Sequence, residues 1–313
     1  MRHGRQMHLP LSLRRRAHGL SQTFVMRRSL SIALVLLAPV AVFVAFVWGG
    51  RAIGASSPND DYVLRIELPP ITGDVGLPII EGPLDASRPL VVIDAGHGGH
   101  DPGAGDGAID EKTLTLALAR ALRDELLSQG GVRVAMTRDS DRFLMLPERT
   151  GIARRLKADL FLSVHADSVE GGDASGASIY TLSERGTTEA AARMAERENR
   201  ADQINGFNLQ GTSDAISAIL VDLSQREALG QSEEFARLIV REGRGRIAFR
   251  ERPLESAAFA VLKSPDMPSV LFEAGYISNP ADTTRLMSSE GRAAFAQVTG
   301  QAIRVYFARQ SAL

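Results

Sequence analysis

The sequence contains no cysteine in its 313 residues. It therefore forms no disulfide bond, and its stability has to come from a hydrophobic core. Hydrophobic residues make up 44% of the chain, which at this length suffices for the core of one ordinary domain with extensions. Any metal site has to use histidine, aspartate and glutamate, because thiolate ligands are absent.

Acidic residues are missing from the first 55 positions, which hold eight arginines. The remainder of the chain therefore carries 28 basic and 37 acidic residues, a net charge of −9. Binding to nucleic acid depends on clustered lysine and arginine, so a body with this charge is a poor candidate for that function.

The same N-terminal region contains a run of 22 uncharged residues between Arg28 and Arg51. Basic residues, the apolar run and the small-residue stretch GGRAIGASS follow one another in the order of a secretory signal. The run is also long enough to span a bilayer as an uncleaved anchor, and its arginine flanks disfavour a core helix. We expect residues 1–55 to export the body to the periplasm, with membrane contact only through this segment if it is not cleaved.

Residues 56–88 are rich in proline, glycine and aspartate and are predicted to form a linker with one short strand at Tyr62–Leu68. From residue 89 to residue 309, strand and helix patterns alternate. Strands are predicted at Leu90–Asp94 and in VRVAMT, DLFLSVHA, GASIYTL, FAVL and PSVLFEAG. Helices are predicted at Lys112–Gln129, from Pro147, in two or three segments of Thr187–Gly245 interrupted at NGFNLQG, and in EGRAAFAQVTGQAIRVYFAR.

This alternation predicts an α/β fold, a single domain with a mainly parallel central sheet flanked by helices. An inserted helical regulatory segment is expected at residues 184–230. In a parallel sheet of this kind, the ligand site lies at the carboxyl ends of the strands.

The loop after the first predicted strand, within VVIDAGHGGHDPGAGDGAIDEKTL at residues 91–114, is rich in glycine, histidine and carboxylate. The body has three histidines: His97 and His100 in this loop, and His165 near the end of DLFLSVHA. Each of them alone is compatible with an ordinary, hydrogen-bonded polar residue. His97 and His165, however, lie at the same end of two strands of one sheet, where they can converge, and together they indicate a metal site.

A catalytic zinc ion typically takes three protein ligands and leaves one position for water. The third ligand is expected to be a nearby carboxylate, and spacing alone does not choose among Asp94, Asp101, Asp106, Asp110 and Glu111. An acid at Glu111 is also expected simply because it balances the dipole of the helix that starts there. Glu273, after the apolar run of the last predicted strand, is a candidate proton acceptor, with a helix cap or an ion pair as the alternative.

Four motifs resemble those of the zinc-dependent N-acetylmuramoyl-L-alanine amidases, the type 3 amidases of the bacterial cell wall. They are VVIDAGHGGHDPGA, an acid fourteen residues after His97, FLSVHAD and PSVLFEAGYISN, and the resemblance extends from about Leu90 to Phe307. It implies a Zn²⁺ ion held by His97, Glu111 and His165, with Glu273 as the catalytic glutamate. His100 matches a position outside the metal set.

The resemblance implies hydrolysis of the amide between N-acetylmuramic acid and L-alanine in peptidoglycan, for septal wall splitting and cell separation. Zinc would polarise the carbonyl and activate water, and Glu273 would take the proton of that water and return it to the leaving amine. Some family members carry an N-terminal β-rich targeting domain, for which residues 56–88 are too few, so targeting by such a domain is not expected.

Two other functions are compatible with the same residues. A zinc peptidase or carboxypeptidase acting on stem peptides would use the same ligand set but would cut between amino acids. A non-catalytic wall-binding module or activator would have a broken metal site.

The stretch at residues 184–230 has two interpretations. TTEAAARMAERENRADQ has a threonine cap and strong helix formers, and SDAISAILVDLSQREAL carries an apolar stripe of Ile216, Ile219, Leu220 and Leu223. The plain interpretation is a solvated helix followed by a core helix.

The regulatory interpretation follows from the resemblance, because family members that split septa have a helix that covers the active site until an activator displaces it. An acid on that helix would fill the open position of zinc; Glu198 is the predicted residue, with Glu196 and Glu189 as alternatives. The apolar stripe that includes Ile216 would then dock a LytM-type activator in the helix-in-groove mode.

Overall fold

The computed structural model describes residues 76–105, 109–169, 174–201, 218–264 and 266–311. In these ranges the predicted α/β architecture is confirmed, since six strands form one central sheet with helices on both faces. The strands are β1 (Leu90–Ala95), β2 (Arg133–Met136), β3 (Leu160–Asp167), β4 (Ala177–Leu182), β5 (Phe249–Ala257) and β6 (Ser269–Tyr276). The helices are α1 (Glu111–Gln129), α2 (Leu146–Arg155), α3 (Glu189–Glu198), α4 (Ala218–Gly243), α5 (Pro280–Met287) and α6 (Ser289–Gln310).

The strand order is β2–β1–β3–β6–β4–β5, and the sheet is mainly parallel as predicted. β1 pairs in parallel with β2 and β3, β3 with β6, and β4 with β5. β4 runs antiparallel to β6, so β4 and β5 run opposite to the other four strands. The carboxyl ends of β1, β3 and β6, three adjacent parallel strands, therefore lie side by side at one edge of the sheet.

Two apolar layers enclose the sheet. One lies under α1, α4, α5 and α6 and takes in strand residues such as Ile93 and Phe272. The other lies under α2 and α3 and takes in Val92, Phe161 and Leu271. Because successive side chains of a strand point to opposite faces, the central strands are apolar on both sides, which is why they read in the sequence as continuous hydrophobic runs.

The predicted strand at FAVL is wrong. Ala260–Leu262 form a short 3₁₀ helix, and Val261 and Leu262 are buried in it. A short apolar run has no periodicity that separates a buried strand from a buried turn. The actual strand is β5, which the sequence did not reveal, because as an edge strand it carries charged residues and Pro253 in place of an apolar pattern.

The helical prediction for Thr187–Gly245 is confirmed where the structure describes this stretch, by α3 and α4. NGFNLQG and Ile216, as well as the side chains of the apolar stripe on α4, lie outside the described residues. α4 runs without a break through Gly230, where the insertion was expected to end, and its later residues Phe235 and Ile239 belong to the core. The second half of α4 is therefore part of the domain core.

The N-terminal signal region and the predicted strand at Tyr62–Leu68 also lie outside the described residues. Among the helices that the structure describes, none has both the length and the apolar character needed to cross a membrane. The end of the predicted linker approaches the edge strand β2, where Glu81 and Val134 exchange two backbone hydrogen bonds of 2.8 and 2.9 Å. This contact covers part of the open edge of the sheet.

Candidate active site

The carboxyl edge of the sheet brings together the side chains that the sequence singled out. His97 follows β1, His165 lies in β3 and Glu273 lies in β6, where its Cα is the register partner of that of His165. Glu111 is the first residue of α1 and reaches the same edge. All four are buried, which is unusual for charged or titratable groups unless they are paired with one another or with a metal.

The glycine-rich loop is shaped by the two imidazole rings. His97 has a φ of 60°, in the left-handed region that residues with a Cβ rarely adopt. A Cβ on Gly96 would lie 2.4 Å from Cε1 of His165, and a Cβ on Gly103 would lie 2.6 Å from Cδ2 of His97. Glycine is needed at these two positions because the rings occupy the space that a side chain would take.

Glu111 spans the two histidines with its two carboxylate oxygens. Oε2 lies 3.1 Å from Nε2 of His97, and Oε1 lies 3.1 Å from Nδ1 of His165. The backbone amides of Ala104 and Ala166 donate to the same carboxylate at 2.8 and 2.9 Å. A carboxylate that only balanced the helix dipole would not need these four contacts, so the structure favours a role for Glu111 in the site.

Asp101 orients His97 from the other side of the ring. Its Oδ2 lies 2.8 Å from Nδ1 of His97, so this ring nitrogen is engaged and Nε2 faces the cluster. Nε2 is buried and has no well-aligned hydrogen-bond partner among the described residues. A metal-ligating histidine is usually oriented in this way, by a hydrogen bond between a carboxylate and the ring nitrogen that does not bind the metal.

Glu198, at the end of α3, completes the cluster. Its Oε2 lies 3.1 Å from Nδ1 of His165 and 3.4 Å from Nε2 of His97. The ligand atoms of these three residues all lie within 4.8 Å of one another, close enough to share one metal ion. The alternatives Glu196 and Glu189 are exposed, so of the three acids considered for this helix the structure brings Glu198 to the site.

The structure does not bring the remaining candidate ligands of the sequence analysis into this cluster where it describes them. Asp94 is buried below the site and binds Arg149, Thr137 and Ser163. Asp110 precedes α1 as its N-cap residue and makes no side-chain cap hydrogen bond, and Asp106 lies outside the described residues. His100 is exposed, and the centre of its ring lies 4.2 Å from that of Phe143.

The electrostatics of the cluster suit a divalent cation. Burial alone would lower the pKa of His165, but the neighbouring carboxylates of Glu198 and Glu111 raise it to about 10. Burial would likewise raise the pKa of Glu111, but the two imidazoles lower it to about 2. The carboxylates thus hold protons on the imidazoles, and a metal ion that binds the same nitrogens and oxygens replaces those protons. Two nitrogens and a carboxylate are the donor set of many catalytic zinc sites.

Glu273 has one engaged oxygen and one without a partner. Oε2 accepts a hydrogen bond of 3.0 Å from the backbone amide of Asp167, and Oε1 is buried with no hydrogen-bond partner among the described residues. Burial raises the pKa of Glu273 well above its usual value, and the positive charge of His165 offsets only part of that effect. The group therefore binds a proton more tightly than an ordinary glutamate, as a carboxylate needs to do when it takes a proton from water.

Sequence reasoning missed Asp167, although it stands inside the motif FLSVHAD. It lies two residues after His165, and alternation along a strand places such residues on the same face. Asp167 is buried, and its Oδ2 accepts a hydrogen bond of 2.6 Å from Arg197 of α3. Burial raises the pKa of Asp167 to about 7 in spite of the arginine.

Comparisons with known proteins match the body of the chain to one family. A family model described as N-acetylmuramoyl-L-alanine amidase matches residues 91–305. The amidase AmiA of Salmonella typhimurium is 38% identical over 223 residues, covering 71% of this chain and 77% of that protein. AmiC of Neisseria meningitidis is 37% identical over 222 residues, and the match covers 70% of this chain and about half, 53%, of that relative. Among solved structures, the catalytic domain of the amidase CwlV from Bacillus (Paenibacillus) polymyxa has a TM-score of 0.50 at 26% identity, covering 70% of this chain and 98% of that domain.

Proposed function

This chain belongs to the N-acetylmuramoyl-L-alanine amidase family, and we propose that it cleaves peptidoglycan with a zinc ion held by His97, Glu111 and His165. The bond cleaved is the amide between N-acetylmuramic acid and L-alanine of the stem peptide. The observation that carries the proposal is the buried convergence of two imidazoles and a carboxylate beside Glu273 at the carboxyl edge of the sheet.

Zinc, when bound, supplies Lewis-acid polarisation of the scissile carbonyl and of the attacking water. Glu273 accepts the proton of that water on its unpartnered oxygen and delivers it to the leaving nitrogen. Water adds to the carbonyl carbon and the carbon–nitrogen bond breaks, so the products are a lactyl carboxyl group on the glycan and a free amine on L-alanine. The backbone amide of Asp167 holds the other oxygen of Glu273 in place during both proton transfers.

We further propose that the protein acts on peptidoglycan in the periplasm and that its role there is to split the septal wall. The support is the arginine-flanked uncharged run within residues 1–55, which has the order of an export signal. Cell fractionation of a strain that expresses the full chain, compared with one lacking residues 1–55, tests the export step.

Chelation is expected to abolish cleavage of purified muropeptides, and added Zn²⁺ is expected to restore it, because two imidazoles and a carboxylate form the reaction centre. Zinc content is measured together with mass spectrometry of the products. Free stem peptides that begin with L-alanine identify the amidase; shortened stem peptides still attached to the glycan would identify a carboxypeptidase instead. Chelator-resistant cleavage would contradict the zinc proposal.

We also propose that α3 is an autoinhibitory lid. Glu198 places its carboxylate against both histidines, where it competes with water and with the substrate carbonyl for the metal. Three hydrogen bonds hold this end of the helix. Arg197 donates to Asp167. The side-chain nitrogen of Asn199 donates to the carbonyl of Ala258 at 2.9 Å, and its side-chain oxygen accepts from the backbone amide of Ala260 at 2.7 Å. A LytM-type activator that displaces α3 would open the site.

Glu198→Ala is expected to raise amidase activity in the absence of any activator. A minor open conformation is typically populated at about 0.1–10%, so removing the competing carboxylate is expected to raise the rate roughly tenfold or more. The matched control is Glu196→Ala, two residues earlier on α3, whose exposed side chain lies outside the cluster. Deletion of residues 184–210 is expected to act in the same direction if the protein folds. A folded Glu198→Ala protein no more active than the parent would show that α3 is not a lid.

A further inference from the structure

Among the residues that the structure describes, Arg138 and Arg149 are the two largest side chains that are almost completely buried. Arg138 follows β2 and Arg149 lies on α2, and neither belongs to the cluster of proposed zinc ligands. A buried charge is costly unless it is paired and hydrogen-bonded, so the partners of these guanidinium groups indicate their purpose.

Arg149 binds the end of β1 and the loop that follows it. Nη1 donates to Oδ1 of Asp94 at 2.9 Å and to the carbonyl of Ala95 at 2.8 Å. Nη2 donates to the carbonyl of His97 at 2.8 Å, and Nε donates to that of Leu144 at 3.0 Å. One planar fork therefore holds the main chain of His97 and neutralises the buried carboxylate beneath it.

Arg138 binds the same loop from a second direction and links it to α1. Nε donates to the carbonyl of Ala95 at 2.9 Å, and Nη2 donates to that of Gly96 at 2.7 Å. Nη2 also donates to the carbonyl of Lys112 at 2.8 Å, one residue after Glu111. A single side chain thus ties the segment that carries His97 to the first turn of the helix that carries Glu111.

The pattern of partners is concentrated on one short stretch of backbone. Three consecutive carbonyls, those of residues 95–97, all accept from these two arginines, at the point where the chain leaves the sheet. His97 there adopts the left-handed φ of 60°, and such backbone persists only where the surroundings hold it. Burial and the charge of Arg149 lower the pKa of Arg138 to about 10, which leaves it protonated at neutral pH with all its donors.

We infer that Arg138 and Arg149 are positioning residues of the metal centre, which fix the backbone of His97 and the first turn of α1 in the arrangement that binds the ion. The inference rests on the proposed zinc site. It assigns these arginines to metal affinity, in addition to any contribution they make to the stability of the fold.

The test uses Arg149→Lys and Arg138→Lys. Lysine keeps the positive charge but offers one nitrogen in place of a planar fork, so it cannot donate to all the acceptors of either arginine at once, four for Arg149 and five for Arg138. The zinc Kd of each folded variant, measured by competition with a chelator, is expected to rise about tenfold or more. The absorption spectrum of the Co²⁺-substituted protein is expected to change as the ligand geometry loosens.

If the two lysine variants do not fold, a milder substitution tests the same inference. Thr115→Val removes a hydroxyl that donates to the carbonyl of Gly96 at 2.9 Å and accepts from Nη2 of Arg138 at 3.2 Å. Its near-isosteric side chain leaves the buried volume unchanged, and a smaller rise in zinc Kd is expected in the same direction.

Two controls separate positioning from stability. Arg154→Lys, on the same helix as Arg149 but in an exposed pair with Asp266, is expected to change neither zinc Kd nor the Co²⁺ spectrum. Val270→Ala, in the core of β6, is expected to lower the melting temperature and leave the zinc Kd of the folded protein unchanged. Lysine variants with the parental zinc Kd and Co²⁺ spectrum would overturn the inference and leave the proposed site intact, whereas a parent protein that binds no zinc would overturn the site itself.

Discussion

Glu273→Gln is expected to retain zinc and lose turnover. The amide has the size of the carboxylate and its oxygen still accepts from the backbone amide of Asp167, so the local structure is preserved. It has no basic oxygen with which to take a proton from water. A positioned general base typically contributes about 10²–10⁴-fold to a rate, and kcat is expected to fall by that factor.

The measurement pairs kcat on purified muropeptides with zinc content determined on the same sample. Glu251→Gln is the matched control, because Glu251 lies in β5 of the same sheet and its side chain is exposed, whereas that of Glu273 is buried. Glu273→Ala is expected to lose turnover in the same way. A zinc-loaded Glu273→Gln enzyme with parental kcat would remove Glu273 from the proposed mechanism.

The convergence of His97 and His165 could be predicted from sequence because it follows from topology alone. Two strands of one parallel sheet end at the same edge, whatever the number of residues between them. The pairing of Glu273 with His165 could not be predicted from topology alone. It depends on the register between β3 and β6, which is set by how the two strands pack and not by their separation in the chain.

The choice of the third ligand could not be made from spacing. Five acids stand within or next to the glycine-rich loop, and the resemblance selected Glu111 where the residues alone left the choice open. The structure supplies the physical difference: Asp94 is already neutralised by Arg149, Asp101 binds the far side of His97, and Glu111 faces both histidines.

The burial of Arg138 and Arg149 could not be predicted from the sequence. In the sequence, Arg138 and Arg149 look like surface cations, and only the fold shows that they are buried against backbone carbonyls. The missed strand β5 is the opposite case, because two of its charged residues, Glu251 and Arg252, are exposed, so that its sequence lacks the apolar pattern of a strand. Patterns of hydrophobicity identify helices and strands that are buried on one face or both. They carry little information about charged residues that are buried, or about strands that are rich in charged residues.

His97→Ala and His165→Ala are each expected to abolish stoichiometric zinc binding and, with it, amidase activity. Either change leaves two of the three proposed ligands, and the loss is expected to exceed the roughly 10–100-fold fall in affinity that accompanies removal of a residue that only orients a ligand. Asp101→Asn belongs to that second class, because Asp101 contacts Nδ1 of His97 and not the cluster itself, and its zinc affinity is expected to fall within that range.

The ligand set is decided by comparing variants of each proposed ligand with variants of a nearby residue of similar chemistry. His100→Ala is expected to keep full zinc occupancy, because the ring of His100 packs on Phe143 and is exposed to solvent. Glu111→Gln is expected to weaken zinc binding, and Asp110→Asn is expected to keep it, since Asp110 contributes no side-chain cap to α1. Zinc is measured by elemental analysis after dialysis against a weak chelator, with circular dichroism to confirm that each variant is folded. Full occupancy in His97→Ala together with loss in His100→Ala would move the ligand to His100, and the loop would have to bind the metal in a conformation other than the one with His97 turned inward.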